Sequence, residues 1–397
     1  RSWTQGSFDK IEICESFKLG KNLKKLLGEK KMRKIFLTAI ALLSMASASV
    51  FGMYGVDSDW IFFLTHGNQF QVRLETLGFT LGNDMIKGTF GFDNPYSFGD
   101  MLQVPANGDG KFIPNMSMGI GYTSSVIGIG VGYTMSFGDK VPIYKGKVTP
   151  KNQLQLGHTP VLVLNALDNA LRIAVPIQVY QTSDKTPVRE YKDTAVSMDA
   201  QIRYYTGLDM LPQIRLYLRF GHYDTEYKVG NITTKTKAET FGFDFRLHFG
   251  AMVEEVALQP IVKIQFNTAL GKNHNTTRIQ AINILKGSQT VSINDVLKND
   301  KNPYTLNIIP ALGISANSDI VSLYLEPSLG LKITGSASKN VKEAYDLGYG
   351  VYGEIYITPV KNVEWYFEAE LGNIAVDLGK GLGFNASTGI TWYLPAL

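Results

Sequence analysis

FGFDFRLHF, residues 241–249, alternates at every position: Phe241, Phe243, Phe245, Leu247 and Phe249 stand against Gly242, Asp244, Arg246 and His248. Successive side chains of a β-strand point to opposite sides, so this stretch is a strand with one apolar face and one polar, charged face. The pattern recurs along the chain. In 212–227, Ile214, Leu216, Leu218 and Phe220 interleave with Gln213, Arg215, Arg219 and Thr225. In 194–206, Val196, Met198, Ala200, Ile202 and Tyr204 oppose Ser197, Asp199, Gln201 and Arg203. In 256–266, Val256, Leu258, Val262, Ile264 and Phe266 oppose Gln259, Lys263 and Gln265. Residues 321–333, 347–357, 363–371 and 382–394 repeat it. The runs are about 10 to 15 residues long, where a soluble strand has ~5–6 and a membrane-spanning one needs ~9–11. A soluble sandwich would bury the apolar rows; a membrane barrel turns them to lipid and lines its interior with the polar rows. Length and uninterrupted apolar rows predict the all-β barrel.

Connection lengths test this independently, because outer-membrane barrels alternate short periplasmic turns with long external loops. Residues 94–111, 138–158, 182–193, 228–238 and 270–303 read as long, and 336–343 as medium. Between them lie short turns at 123–125, 166–169, 207–211, 250–254, 316–319 and 358–362. The connection at 376–380 is short where a long one is due. The expectation is a transmembrane antiparallel up-and-down barrel of 14 strands from Met85 to Leu394, termini inside. Residues 60–81 are ambiguous. Trp60, Phe63, Leu64 and Phe70 suit an amphipathic helix or plug, while WIFFLTH and QFQVRLETLGFTLG suit two more strands, making 16.

The remaining composition agrees with export. The 397 residues include 39 Gly, 20 Tyr and 21 Phe, only 19% are charged, and the net charge is +4. Once the Lys-rich N-terminal part is set aside the chain is near neutral, which leaves no electrostatic footprint for nucleic acid. Arg33 and Lys34 precede the apolar run Ile35 to Leu43 and the small residues Ser44, Ala46, Ser47, Ala48 and Ser49. This is a secretory signal, too short to span a bilayer, with cleavage expected after Gly52 or after Ala48. Residues 1–31 read as upstream leader DNA carried into the reading frame and not translated in the protein, which is expected to start at Met32, because Gly28-Glu29-Lys30-Lys31-Met32 back-translates to a purine-rich stretch before a start codon; a basic targeting arm is the alternative. The one cysteine, Cys14, falls there, so no disulfide framework is expected. The expected divisions are 1–31 leader, 32–52 signal, 53–84 N-terminal helix or plug or first strand pair, and 85–397 barrel.

The end of the chain, ASTGITWYL, spaces Gly389, Trp392 and Leu394 as in terminal strands read by the barrel-assembly machinery, although three residues follow and no Phe ends the chain. Trp365, Tyr366, Trp392 and Tyr393 are candidates for an aromatic girdle at the membrane interface.

The segments ALLSMASASVFG, MYGVDSDWIFFLTHGNQFQVRLETLGFTLGN and MIKGTFGFDN resemble the variable surface proteins of intestinal spirochaetes, most sharply over residues 32–94 and less over the C-terminal strands. The resemblance implies an abundant outer-membrane surface protein, encoded among paralogues and met by host antibodies. It carries over no catalytic residue.

Chemistry is sparse. Of the histidines His66, His158, His222, His248 and His274, no pair has metal-ligand spacing. His248 shares the inner face with Asp244 and Arg246, yet no tight nucleophile-histidine-carboxylate group accompanies it, so it reads as a structural interior residue. His222 reads as lipid-facing near the outer rim. The Gly runs GIGYTSSVIGIGVGY and DLGKGLGF open no helix and read as strand glycines rather than phosphate loops. Asn107 and Asp109 read as a turn. No cofactor and no metal is implied.

The interior charges are the informative set. Arg172, Arg203, Arg215, Arg219, Arg246, Lys263 and Lys332 share the inward face with Asp199, Asp244, Glu326, Glu354, Glu364, Glu368 and Glu370. They either pair within the wall or form basic and acidic sectors that select solutes by field. A mid-wall Arg turned to lipid costs ~2–4 kcal/mol, which holds the register. The 270–303 connection exceeds the ~12–15 residues beyond which loops are usually functional or disordered; it reads as a constriction or an epitope. The expected function is a surface-exposed, antigenically variable barrel, with a general diffusion porin, a barrel hydrolase and a soluble periplasmic β-protein as alternatives. Outer-membrane lipid is the expected surroundings, and a monomer and a homo-oligomer fit equally.

Overall fold

The computed structural model describes residues 60–72, 76–93, 115–137, 154–186, 188–253, 256–270, 302–336, 338, 340–374 and 381–394. They begin with a 3-10 turn, Trp60–Phe62. The first strands are β1 (Gln69–Val72), β2 (Thr76–Gly82), β3 (Ile86–Asp93), β4 (Asn115–Thr123), β5 (Ile127–Phe137) and β6 (Leu154–Ala166). Then come β7 (Leu171–Thr186), β8 (Arg189–Tyr205), β9 (Gln213–Val229), β10 (Ile232–His248), β11 (Ala251–Val253) and β12 (Val256–Leu270). The last are β13 (Tyr304–Asn317), β14 (Val321–Gly335), β15 (Ala344–Val360), β16 (Val363–Gly372) and β17 (Gly383–Leu394). All join one antiparallel sheet, and β1 pairs with β17 to close it. Strand β11 carries β10 onward past Phe249 and Gly250, and both pair with β12, so the wall has sixteen staves.

Sixteen corrects the favoured count of fourteen. Residues 69–82 pair as the hairpin β1–β2 and belong to the wall. WIFFLTH is no strand: it is the turn, and it lies inside the barrel. The closing seam is short. Strand β1 meets β17 over three residue pairs, Phe70 to Leu394 through Val72 to Trp392, where β8 and β9 run in register from Arg189–Val229 to Tyr205–Gln213.

Burial follows the period-two alternation and is inverted relative to a water-soluble protein. Among the largest fully buried side chains are Arg203, Gln71, Gln178, Gln213, Glu354 and Asn165. Met118, Ile120, Ile129, Val131, Leu162, Phe220, Leu323, Leu347 and Ile390 are exposed on the outer face. Apolar-out, polar-in strands that close on themselves satisfy the backbone groups of paired residues within lipid, as a membrane barrel requires.

On one side of the barrel the turns are tight. Asn83 accepts hydrogen bonds from the backbone N–H of Met85 and Ile86 through its side-chain oxygen, and Ser124 and Ser318 hold their turns the same way. The termini of the barrel lie on this periplasmic side.

On the other side two connections differ from expectation. Residues 182–193 and 228–238 are not long loops: β7–β8 and β9–β10 continue as paired strands to their tips. At Gly230 the positive φ of 56° suits the first central position of a two-residue hairpin turn. These 16- and 17-residue strands are roughly 55 Å long at ~3.3 Å per residue, and at the ~40° tilt of a barrel wall they rise about 40 Å, well past the ~25 Å apolar band. Beyond Phe220 the outward row of β9 turns from apolar to His222, Asp224, Glu226 and Lys228, and a charged stretch that reads as loop is strand in water. The connections 94–111 and 376–380, the cleavage sites, Asn107, Asp109 and His274 lie outside the described residues, as do residues 138–153 and 271–301 of the two remaining long connections.

Candidate functional site in the lumen

Strand register assembles the inner wall. Arg172 lies opposite Arg203, Arg203 opposite Arg215, Arg215 opposite Arg246, and Arg246 opposite Lys263. Five cations thus form one row across β7, β8, β9, β10 and β12. Like charges directly opposite destabilise a sheet, so the row needs compensation. At the β10–β12 end acids supply it. Asp244, fully buried, accepts from Arg246 Nη2 at 2.7 Å and Gln265 Nε2 at 3.1 Å, with Arg219 Nη2 4.0 Å away. Arg219 Nε donates to Asp199 at 3.3 Å, and Lys263 Nζ to Glu326 at 2.6 Å. The ring of Tyr217 lies under Arg246 and Arg219, with guanidinium carbons 5.0 and 5.8 Å from its centroid.

The late strands carry the acids. Glu354 lies opposite Glu368, and tyrosines hold them: Tyr352 donates to Glu354, Tyr356 to Glu368 at 3.2 Å, Tyr324 to Glu326 at 2.5 Å. Between the two sectors lies a cavity of about 310 Å³ lined by Arg246, Lys263, Glu326, Lys332, Tyr352 and Glu370 among others. Arg172, Arg203, Arg215, Asp199, Asp244, Glu326 and Glu354 are buried, and Arg246, Lys263 and Lys332 line the cavity. Two of the expected girdle residues do not face lipid. Tyr393 donates from its hydroxyl to Glu364 at 3.0 Å, and Tyr366 lies beside Tyr356 on the inner face with ring centroids 6.4 Å apart. Neighbouring residues of a strand cannot share a face, so only Trp365 and Trp392 are exposed on the outside. His222 does face outward, but above the apolar band, where it bonds Asp224 at 2.9 Å and Glu239 at 3.2 Å. His248 is buried inside, across from Gln213 and Ile261. Among the described residues no group of His, Cys, Asp and Glu is arranged to hold a metal ion.

At the Arg172–Arg203 end aromatic rings face the guanidinium groups, and Arg172 Nε donates to the carbonyl of Asn169 at 3.2 Å. The turn of residues 60–66 sits in the periplasmic part of the lumen, and Trp60, Ile61, Phe62, Phe63 and Leu64 are all buried. The ring of Phe62 faces Arg203 and Arg172, with centroid distances of 4.6 and 5.5 Å, and an aromatic face attracts a guanidinium. Behind the turn, strands β4 and β5 present glycines. A Cβ placed at Gly121 would lie 2.4 Å from Leu64 Cδ2, and one at Gly132 2.4 Å from Trp60 Cζ3. Gly119, Gly128 and Gly130 touch the same side chains, and Val161, Val163 and Ala174 complete an apolar cluster. Lys87 donates to the carbonyl of His66, and Asn68 Nδ2 to that of Gly82 at 2.9 Å, tying the turn's exit to β2 and β3. Burying the five side chains contributes roughly 10 kcal/mol at ~1.5–3 each, and ordering the segment costs about as much at ~1–2 kcal/mol per residue. The turn is held by a small difference.

This seat was absent from the sequence reading beyond the option of a plug. Its signal was present: IGIGVG and VLVL lack polar residues on either face, and a wall strand with two apolar-or-glycine faces must meet something apolar inside.

A family model described as Serpulina hyodysenteriae variable surface protein matches residues 33–393. No curated protein matches the chain. Solved structures similar to it include the β domain of the Bordetella autotransporter BrkA, with 10% identity, TM-score 0.33, 82% of this chain and 95% of that one. OmpT, an outer membrane protein of Vibrio cholerae, gives 10% identity and TM-score 0.36 over 83% and 97%. A bacterial polysaccharide outer membrane secretin gives 10% identity and TM-score 0.43 over 83% and 97%.

Proposed function

The chain belongs to the variable surface protein family described for Serpulina hyodysenteriae, and from that premise we propose that it is a surface-displayed, antigenically variable barrel of the outer membrane. The observation that carries this reading is the rise of β7–β10 past the apolar band. Outward-facing Lys192, Asp224, Glu226, Lys235 and Lys237 form a solvated ladder there, with Lys192 2.8 Å from Glu190 and Lys235 3.1 Å from Glu226. Such a ladder offers antibodies a rigid, charged epitope. Its partners on this reading are outer-membrane lipid, the barrel-assembly machinery and host antibodies, with no nucleic acid, and catalysis is not part of it. Cysteine placed at Asn231, and separately at Asp319, in a Cys14→Ser background tests it with a membrane-impermeant maleimide on intact cells. Labelling at 231 and not at 319 is expected; labelling confined to 319 overturns the reading.

A second reading, passage of small solutes, is favoured by the basic and acidic sectors that meet at the 310 Å³ cavity. A transverse field of this kind orders water and sorts ions.

A further inference from the structure

We propose that the turn of residues 60–66 is a displaceable plug that closes a cation-lined conduction path, with the glycines of β4 and β5 as its seat. This goes beyond surface display and rests on the solute-passage reading only for the existence of a path.

Four observations converge. The turn is a separate piece, attached to the wall through Gly67 and Asn68 and not itself a strand. Its five apolar side chains are buried against an apolar patch of the inner wall, Val161, Val163 and Ala174 with the glycines of β4 and β5, in a lumen that elsewhere carries most of the barrel's buried charges. Gly119, Gly121, Gly128, Gly130 and Gly132 clear its footprint on two adjacent strands, and a Cβ at Gly121 or Gly132 would force Leu64 or Trp60 out of its present position. Phe62 covers Arg172 and Arg203, so that withdrawal of the turn uncovers two guanidinium groups along the cleared path. An opened lumen therefore favours anions on this side. The exit of the turn lies on the periplasmic side, with Leu64 against Gly121 and Gly128 next to the tight turn at Ser124 and Trp60 deeper in the lumen against Gly119 and Gly132.

The test is single-channel recording of the full barrel refolded into planar bilayers, with folding checked by heat-modifiable migration on gels. Gly121→Leu/Gly132→Leu fills the seat. It is expected to raise the frequency of discrete open steps at least tenfold over the parent and to move the reversal potential toward anion preference. Adding Arg203→Gln should reduce that preference. Trp60→Ala/Phe63→Ala, which leaves the wall untouched, should reproduce the gain if the glycine variant does not fold. In the Trp60→Ala/Phe63→Ala background with Cys14→Ser, cysteines at Leu64 and Gly128 joined by a short thiol cross-linker should return the channel to the parent's behaviour. A folded Trp60→Ala/Phe63→Ala barrel with the parent's conductance, whether silent or open, overturns the proposal. Cross-linking that leaves the open steps unchanged overturns it equally, because the seated turn would then lie outside the path.

Discussion

At the scale of single residues, Asp244 carries the most. It is fully buried and holds Arg246 and Gln265 by direct hydrogen bonds, with Arg219 at the edge of ion-pair range. Asp244→Ala leaves two guanidinium groups facing other cations, and removing one partner of a buried pair costs ~3–5 kcal/mol. The expected result is a folded barrel whose heat-modifiable transition falls to a lower temperature, while Asp244→Asn falls less; unchanged transitions in both would show that lumen water already screens the pair. The inward direction of Asp244 was legible from alternation alone. Its partners were not, because which cation an inward acid meets depends on register between strands, and register follows from turns and closure rather than from composition. The girdle shows a different failure. Tyr366 and Tyr393 were grouped with their tryptophan neighbours by residue type, although alternation, applied strictly, already turned them inward.

At the scale of elements, the projecting hairpins repay the closest look. Strand alternation does not stop at Phe220; what changes is the solvent, and the outward row changes character with it. Charged runs such as YKDT and EYKVGNITTKTKAE lose the apolar signal while keeping the strand, which is why they read as loops. Within this part Asp193 faces inward among Tyr191, Tyr223 and Thr225, and burial raises its pKa above the ordinary carboxylate value despite those hydrogen-bonding groups. A carboxyl raised on folding contributes stability below its unfolded pKa of about 3.9 and loses it as pH rises through the folded value. Asp193→Asn is therefore expected to slow hydrogen exchange in 191–227 at pH 7, after correction for intrinsic rates, with the difference from the parent closing as pH falls toward 4. A constant difference across that range would count against the carboxyl's charge as the cause.

At the scale of the whole molecule, the two charge sectors give the barrel a field across its interior. If solutes pass, Arg215→Ala/Lys263→Ala should shift the reversal potential of the opened barrel toward cations, and Glu354→Gln/Glu368→Gln toward anions; equal responses to both pairs would place the path away from the sectors. The barrel class, the sides of its strands and the lumen set were open to sequence reasoning because lipid demands one repeated pattern. The count of sixteen was not, because β1 has only four residues and its membership depends on contact with a strand more than three hundred positions away. That short seam has a consequence in time. The wall's first and last strands are the ones that must find each other, so the ring cannot shut until β17 is released for pairing, and the loop to be closed spans nearly the whole wall. The apolar turn lies immediately before β1. Whatever the order of the earlier hairpins, the turn is enclosed at the final step, and a chain stalled before that step leaves Trp60, Phe62 and Phe63 open to capture by periplasmic chaperones.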